Sequence, residues 1–195
     1  MPNAKIALPI VYDFLEENGI TVWLDWGTLL GAYREGEFIV YDHDIDLGIT
    51  YEGFKKLQEV RLGNPEKQYN KDIIFGAYVN APDNIPTMMS SSHSNVKIDI
   101  YAWFKKGDNH NLCMFYNKEK KKYVVNTVPA HYHENLVKFK FLDREYMIPE
   151  KTEEYLTFLY TENWKNRVKS GGHSNSLQSY MVPEEIMEQG DREEE

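Results

Sequence analysis

The stretch that most restricts this chain is Tyr41-Asp42-His43-Asp44-Ile45-Asp46-Leu47-Gly48-Ile49. Its apolar residues are strand formers, yet three acids alternate with them, and Asp is a poor strand residue. On a strand, alternate side chains share a face. Asp42, Asp44 and Asp46 then point one way, while Ile45, Leu47 and Ile49 point into a core. Neighbouring acids stand about 6.6 Å apart along the backbone, from two rises of roughly 3.3 Å. Carboxylates so spaced can converge on one or two hard cations. Without a cation they repel and their pKa values rise. By itself the segment leaves open both a metal centre and the polar face of a surface strand.

A strand with one apolar face needs a core to cover it. Of 195 residues, 42% are hydrophobic, which is enough for one sizeable core and excludes a disordered chain. The net charge is −9. Residues 183–195 hold seven acids and one Arg, so the remainder carries only −3. That balance argues against a nucleic-acid binder, which wants a basic stripe. A nucleotide substrate stays open, because metal ions can supply positive charge. No apolar run is long enough to span a bilayer, and no secretory leader is visible after Met1. Cys113 is the single cysteine, so no internal disulfide or cysteine-based zinc cluster is expected. Reducing, cytoplasmic surroundings are the expectation.

Two flanking segments add chemistry. Upstream, Trp23-Leu-Asp-Trp-Gly-Thr-Leu-Leu-Gly-Ala-Tyr-Arg34 reads as a strand, a Gly27-Thr28 turn and a short helix from Leu29 to Arg34. Such a turn aims backbone N–H groups at an anion, and Arg34 could add a bidentate phosphate contact. An ordinary strand-turn-helix with Thr28 as N-cap is the alternative. Downstream, Val96-Lys-Ile-Asp-Ile-Tyr-Ala-Trp-Phe104 places Asp99 among apolar strand residues, where it is costly unless paired or metal-bound.

Taken together, the Gly-Thr turn, the D-x-D pair and a later lone Asp on a strand resemble the layout of the nucleotidyltransferase fold. The resemblance narrows to the LicD/fukutin family. Gly27-Thr-Leu-Leu-Gly-Ala-Tyr-Arg34 is similar to its G-T-L-L-G-A-x-R motif, and Asp42-His-Asp-Ile-Asp46 to its I-P-W-D-x-D-I-D block. Val40-Tyr41 stands where that family has Pro-Trp. Pro149-Glu-Lys-Thr-Glu-Glu-Tyr-Leu156 and Leu159-Tyr-Thr-Glu-Asn-Trp164 are similar to its closing segment, with Thr161 in place of Gly. The resemblance implies a metal-dependent transfer of a phosphorylated alcohol, such as phosphocholine or ribitol phosphate. The donor would be CDP-linked or another nucleotide, and the acceptor a glycan or small-molecule hydroxyl. It implies Mg2+ or Mn2+ on Asp44, Asp46 and Asp99, the same three acids as catalytic residues, and Asp99 as proton acceptor. Gly27, Thr28, Arg34 and Asp42 would bind the donor. A nucleotidyltransferase that moves a nucleoside monophosphate, or an idle nucleotide-binding domain, are the alternatives.

Periodicity and turn chemistry organise the rest. Helices are expected at 4–18, with Ile6, Ile10, Phe14 and Leu15 inward, and at 51–62; Pro9 would kink the first or delay its start. Strands are expected at 20–24, within 38–49, and at about 72–79, 96–104, 111–116 and 122–128. A hairpin spans 136–148, a helix runs from Pro149 to about Tyr160, and a second helical piece surrounds Trp164. The class is α+β, a mixed or antiparallel sheet flanked by helices, over residues 1–169; residues 170–195 read as a loop-like acidic tail. Weaker signals are His131 with His133 as metal ligands, against a loop after Pro129, and Trp26 or Tyr41 as a base-stacking ring. His43 reads as structural, Lys118, Lys120, Lys121 and Lys122 as a solvated hairpin tip, and Cys113 as a small buried hydrophobe.

Overall fold

The computed structural model describes residues 2–62, 74–78, 89–93, 95–117, 122–166 and 178–183. The chain opens with α1 (Pro2–Glu17), β1 (Val22–Leu24), α2 (Trp26–Glu35), β2 (Asp44–Thr50) and α3 (Tyr51–Leu62). The strands β3 (Ile74–Tyr78), β4 (Met89–His93), β5 (Val96–Lys106), β6 (Asn109–Asn117) and β7 (Lys122–Pro129) follow. A hairpin of β8 (Leu136–Phe141) and β9 (Arg144–Pro149), the helix α4 (Thr152–Tyr160) and β10 (Gln178–Pro183) complete it. The class is α+β, as the sequence indicates.

The main sheet runs β1-β2-β5-β6-β7-β10, with β4 also on β5 and β3 on β4. β2 and β5 are parallel; the other pairs are antiparallel. The parallel pair sets Asp44 beside Lys97 and Asp46 beside Asp99. Paired residues on adjacent strands project to the same face. Asp44 and Asp46 therefore share a face with Lys97 and Asp99, because Ile45, Leu47, Ile98 and Ile100, all buried, occupy the opposite face.

α1 packs against β1, β2 and β5. Its inward stripe is Ala4, Ala7, Leu8, Val11, Tyr12, Phe14 and Leu15, while Ile6 is exposed and Ile10 only partly covered. Phe14 and Leu15 lie inward as expected, whereas Ile6 and Ile10 do not. Two apolar registers compete at helical spacing, and the one with small alanines allows the closer approach to the sheet. The helix also runs through Pro9 without a delayed start.

Other differences are local. Residues 38–43 lie outside any strand, so β2 begins only at Asp44. α4 begins at Thr152, because Pro149 still pairs with Leu136 in the hairpin. Gln178–Pro183, in the stretch that composition reads as loop-like, is a strand along β7; Tyr180-Met181-Val182 supplies the β-forming residues there. Cys113 lies on β6, and Lys122 opens β7 opposite Asn117. The remaining lysines of that predicted tip, Lys118, Lys120 and Lys121, fall outside the described residues.

Candidate active site

α2 starts one residue after β1, and Asp25 is its N-cap, accepting from the Trp26 N–H at 2.9 Å. Gly27 and Thr28 are thus the first turn of the helix, where N–H groups lack intrahelical partners. That is earlier than the sequence indicates, and the cap is Asp25 rather than Thr28. Gly36, at φ 67°, closes the helix in the left-handed conformation expected of a glycine C-cap.

The first turn of α2 is devoted to Asp46. The Gly27 N–H donates to Asp46 Oδ2 at 3.0 Å, and the Asp46 N–H donates to Thr28 Oγ1 at 2.9 Å. The Asp25 N–H donates to the Asp46 carbonyl at 3.2 Å. From β5, the Tyr101 hydroxyl donates to Asp46 Oδ1 at 3.0 Å. A Cβ on Gly27 would overlap Asp42 Oδ2 and stand 3.0 Å from Asp46 Oδ2. Glycine is required because two carboxylates cover the helix end.

Carboxylate oxygens of Asp42, Asp44 and Asp46 lie within 4.8 Å of one another. Asp42 reaches the cluster from a turn closed by its N–H on the Ile39 carbonyl, 3.1 Å away. Burial, then the hydrogen bond and charge of Asp44, push the Asp42 carboxyl up to about 6. Burial, then the charges of Asp44 and Asp42, hold Asp46 well above the carboxylate range, against the Tyr101 hydrogen bond. Mutual repulsion of this kind is relieved by a cation, and three oxygen donors suit a hard divalent ion.

Asp99 is buried on the same face, beside Asp46 in the ladder. Lys97 Nζ lies 2.6 Å from Asp99 Oδ2 and 3.5 Å from Asp44 Oδ2. The structure therefore groups Asp42, rather than Asp99, with Asp44 and Asp46, and sets Asp99 against an ammonium. Arg34 is directed elsewhere: its guanidinium donates to Glu35 Oε1 at 2.7 Å and to the Trp164 carbonyl at 3.0 Å.

Asp25 is a residue that the sequence reading missed. It is fully buried, and it accepts from Trp103 Nε1 at 2.8 Å and the Tyr155 hydroxyl at 2.9 Å. Burial pushes its carboxyl up to about 6 despite those bonds. The polar signal was its position just before the Gly-Thr pair, at the site of an N-cap. The ring of Trp26 packs between Tyr101 and Trp103 and is nearly covered, whereas Tyr41 is 71% exposed. Of the two rings considered for base stacking, only Tyr41 faces solvent. His131 and His133 do not pair. A 3-10 turn at Ala130–Tyr132 separates their environments, and His133 Nδ1 instead meets His110 Nδ1 at 3.1 Å.

The family model described as LicD/FKTN/FKRP, nucleotidyltransferase domain, matches residues 19–151. The chain is 26% identical over 170 residues to ribitol-5-phosphate transferase FKTN of Macaca fascicularis, covering 86% of this chain and 34% of that protein. It is 43% identical over 51 residues to ribitol 5-phosphate transferase FKRP of Homo sapiens, covering 26% of this chain and 10% of that protein. Among solved structures it is similar to the lincosamide antibiotic adenylyltransferase LnuA with lincomycin bound. That likeness has a TM-score of 0.47 and 15% identity, over 82% of this chain and 94% of the other. The chain spans about a third of the length of the FKTN relative.

Proposed function

We propose a chemistry from one premise: this chain belongs to the LicD/FKTN/FKRP nucleotidyltransferase-domain family, whose model covers residues 19–151. The reaction is transfer of a phosphorylated alcohol from a CDP-linked donor to a hydroxyl of a glycan or small molecule. The observation that carries it is the convergence of Asp42, Asp44 and Asp46 at the N-terminus of α2.

Asp44 and Asp46, with Asp42 as third ligand, would hold Mg2+ or Mn2+, which when bound neutralises the donor's diphosphate charge. Gly27 and Thr28 orient Asp46 through its carboxylate and its amide. Tyr101 fixes the second carboxylate oxygen from β5. Asp99, on the same face, takes the proton of the attacking hydroxyl. The nucleoside monophosphate leaves, and the phosphodiester forms on the acceptor oxygen.

The test is incubation with CDP-ribitol or CDP-choline and an alcohol acceptor, with Mn2+ and then with chelator. Release of CMP that chelator abolishes is the expected result. Pyrophosphate release from a nucleoside triphosphate would reassign the chain to nucleotidyl transfer. Release of neither, with nucleotide still bound, would make it a binding domain. Asp99→Asn should lower turnover by at least about 10²-fold, the range for loss of a positioned acid–base group.

A further inference from the structure

Lys97 opens the polar face of β5, opposite Asp44 in the parallel ladder. On β5 its neighbours along the face are Asp99, Tyr101 and Trp103, all buried. Asp99 bonds to this lysine, Tyr101 to Asp46, and Trp103 to Asp25. Lys97 is thus the exposed member of a row whose buried members are Asp99 itself and two rings that hydrogen-bond the buried acids Asp46 and Asp25. A lysine there as a mere solubilising residue would extend into water. Its ammonium instead bends back between Asp99 and Asp44, with half the side chain still exposed.

An ammonium has three N–H donors and no acceptor. Two carboxylates engage at most two of them here, and the longer contact, at 3.5 Å, is weak. At least one donor remains for a ligand. The four acids of this face outweigh a single divalent ion, so an incoming diphosphate meets net repulsion unless another cation helps. Arg34, the cation expected from the sequence, is committed to Glu35, Trp164 and Asn166.

We infer that Lys97 is the protein's own cation for the donor's diphosphate, held at the mouth of the acid cluster by Asp99 and Asp44. The inference rests on the metal-and-diphosphate reading of this site. It divides the face into two cation positions. Asp42, Asp44 and Asp46 take the metal ion, while Asp44 and Asp99 hold the ammonium, so that Asp44 serves both.

The division gives effects of opposite sign in one variant. Lys97→Met keeps the apolar stem and removes the charge. Mn2+ alone should then bind several-fold more tightly, because a positive charge beside Asp44 is gone. CDP measured calorimetrically with saturating Mg2+ should bind at least about tenfold more weakly, a loss of about 1.4 kcal/mol. Lys97→Arg should restore most of the CDP affinity. Lys105→Met, an exposed lysine farther along β5 paired with Glu134, should change neither value.

Unchanged CDP affinity in Lys97→Met, with the melting temperature retained, would reduce Lys97 to a surface ion pair and overturn the inference alone. Tighter Mn2+ with tighter CDP would make it a placeholder that the metal displaces, which also overturns it. Wild-type protein that binds neither Mn2+ nor CDP would remove the site reading itself and the inference with it.

Discussion

Gly27 shows how narrowly one residue can be constrained by chemistry outside its own element. Its place in the first turn of α2 would suit alanine, a better helix former. The carboxylates of Asp42 and Asp46 exclude the extra methyl group. Gly27→Ala should therefore leave the fold intact but spread the acids, weakening Mn2+ at least about tenfold, or 1.4 kcal/mol, in a calorimetric titration. Asp25 is the opposite case, a buried acid whose work is structural. It caps α2 and joins it to Trp103 of β5 and Tyr155 of α4. Asp25→Asn looks conservative, yet it places an NH2 group where an acceptor now receives N–H or O–H donors. An unsatisfied buried donor costs about 1–3 kcal/mol, and urea unfolding should register a loss of that size. Trp26, at φ 40°, is the residue that turns the chain between these two roles. A positive φ at a bulky residue is uncommon and tends to mark functional sites.

At the scale of elements, β1 and β2 are matched through a missing side chain. Gly48 sits opposite Trp23 in the antiparallel ladder, and a Cβ there would enter the Trp23 indole. Gly48→Ala should destabilise by about 1–3 kcal/mol, the usual cost of overpacking, with a shift in tryptophan fluorescence as Trp23 is displaced. The elements legible from sequence were those with a strong period or a clear stop. α3 was bounded by its turn residues, β5 by its β-branched and aromatic run, and the β8–β9 hairpin by Asp143-Arg144. β4 was not legible, because Met89-Ser-Ser-Ser-His93 has no alternation; its place comes from backbone pairing with β5. The start of α2 was misplaced for a related reason. The strand reads to Leu24 and the turn as Gly27-Thr28, and only the hydrogen bonds of Asp25 reveal a cap between them. The three acids of the D-x-D-x-D run were legible from their spacing, although Asp42 reaches the cluster from a turn rather than from a strand. The partnership of Lys97 with Asp44 was not, since it depends on the parallel register of two segments some fifty residues apart.

For the molecule as a whole, the raised carboxyls make stability respond to pH, and the proposed metal binding with it. Asp25 and Asp42 titrate at about 6 in the folded chain, and Asp46 is also raised. The folded state therefore holds protons that the unfolded state has lost, and these groups contribute less stability as pH rises from about 4 through 6. His133, buried and held well below its usual pKa, acts in the other direction and lowers stability as pH falls below about 6.5. Comparing melting temperatures with and without Mn2+ cancels the histidine contribution. Metal ligands must lose their protons to bind, so the Mn2+-induced rise should be small at pH 5 and grow through pH 7.5. An increment independent of pH would place the ion away from Asp42 and Asp46. The same arrangement bears on how such a chain could change over generations. Asp46 joins β2 to the start of α2 by its carboxylate, its amide and its carbonyl. Asp44, partly exposed, meets Lys97 across the ladder. A duplicated copy under no demand for the proposed activity could drift at Asp44 and keep its fold, whereas drift at Asp46 would loosen the frame. Such copies should thus still carry the inner acid, and a surviving Asp46 in one of them would be a relic of architecture, not a sign of activity.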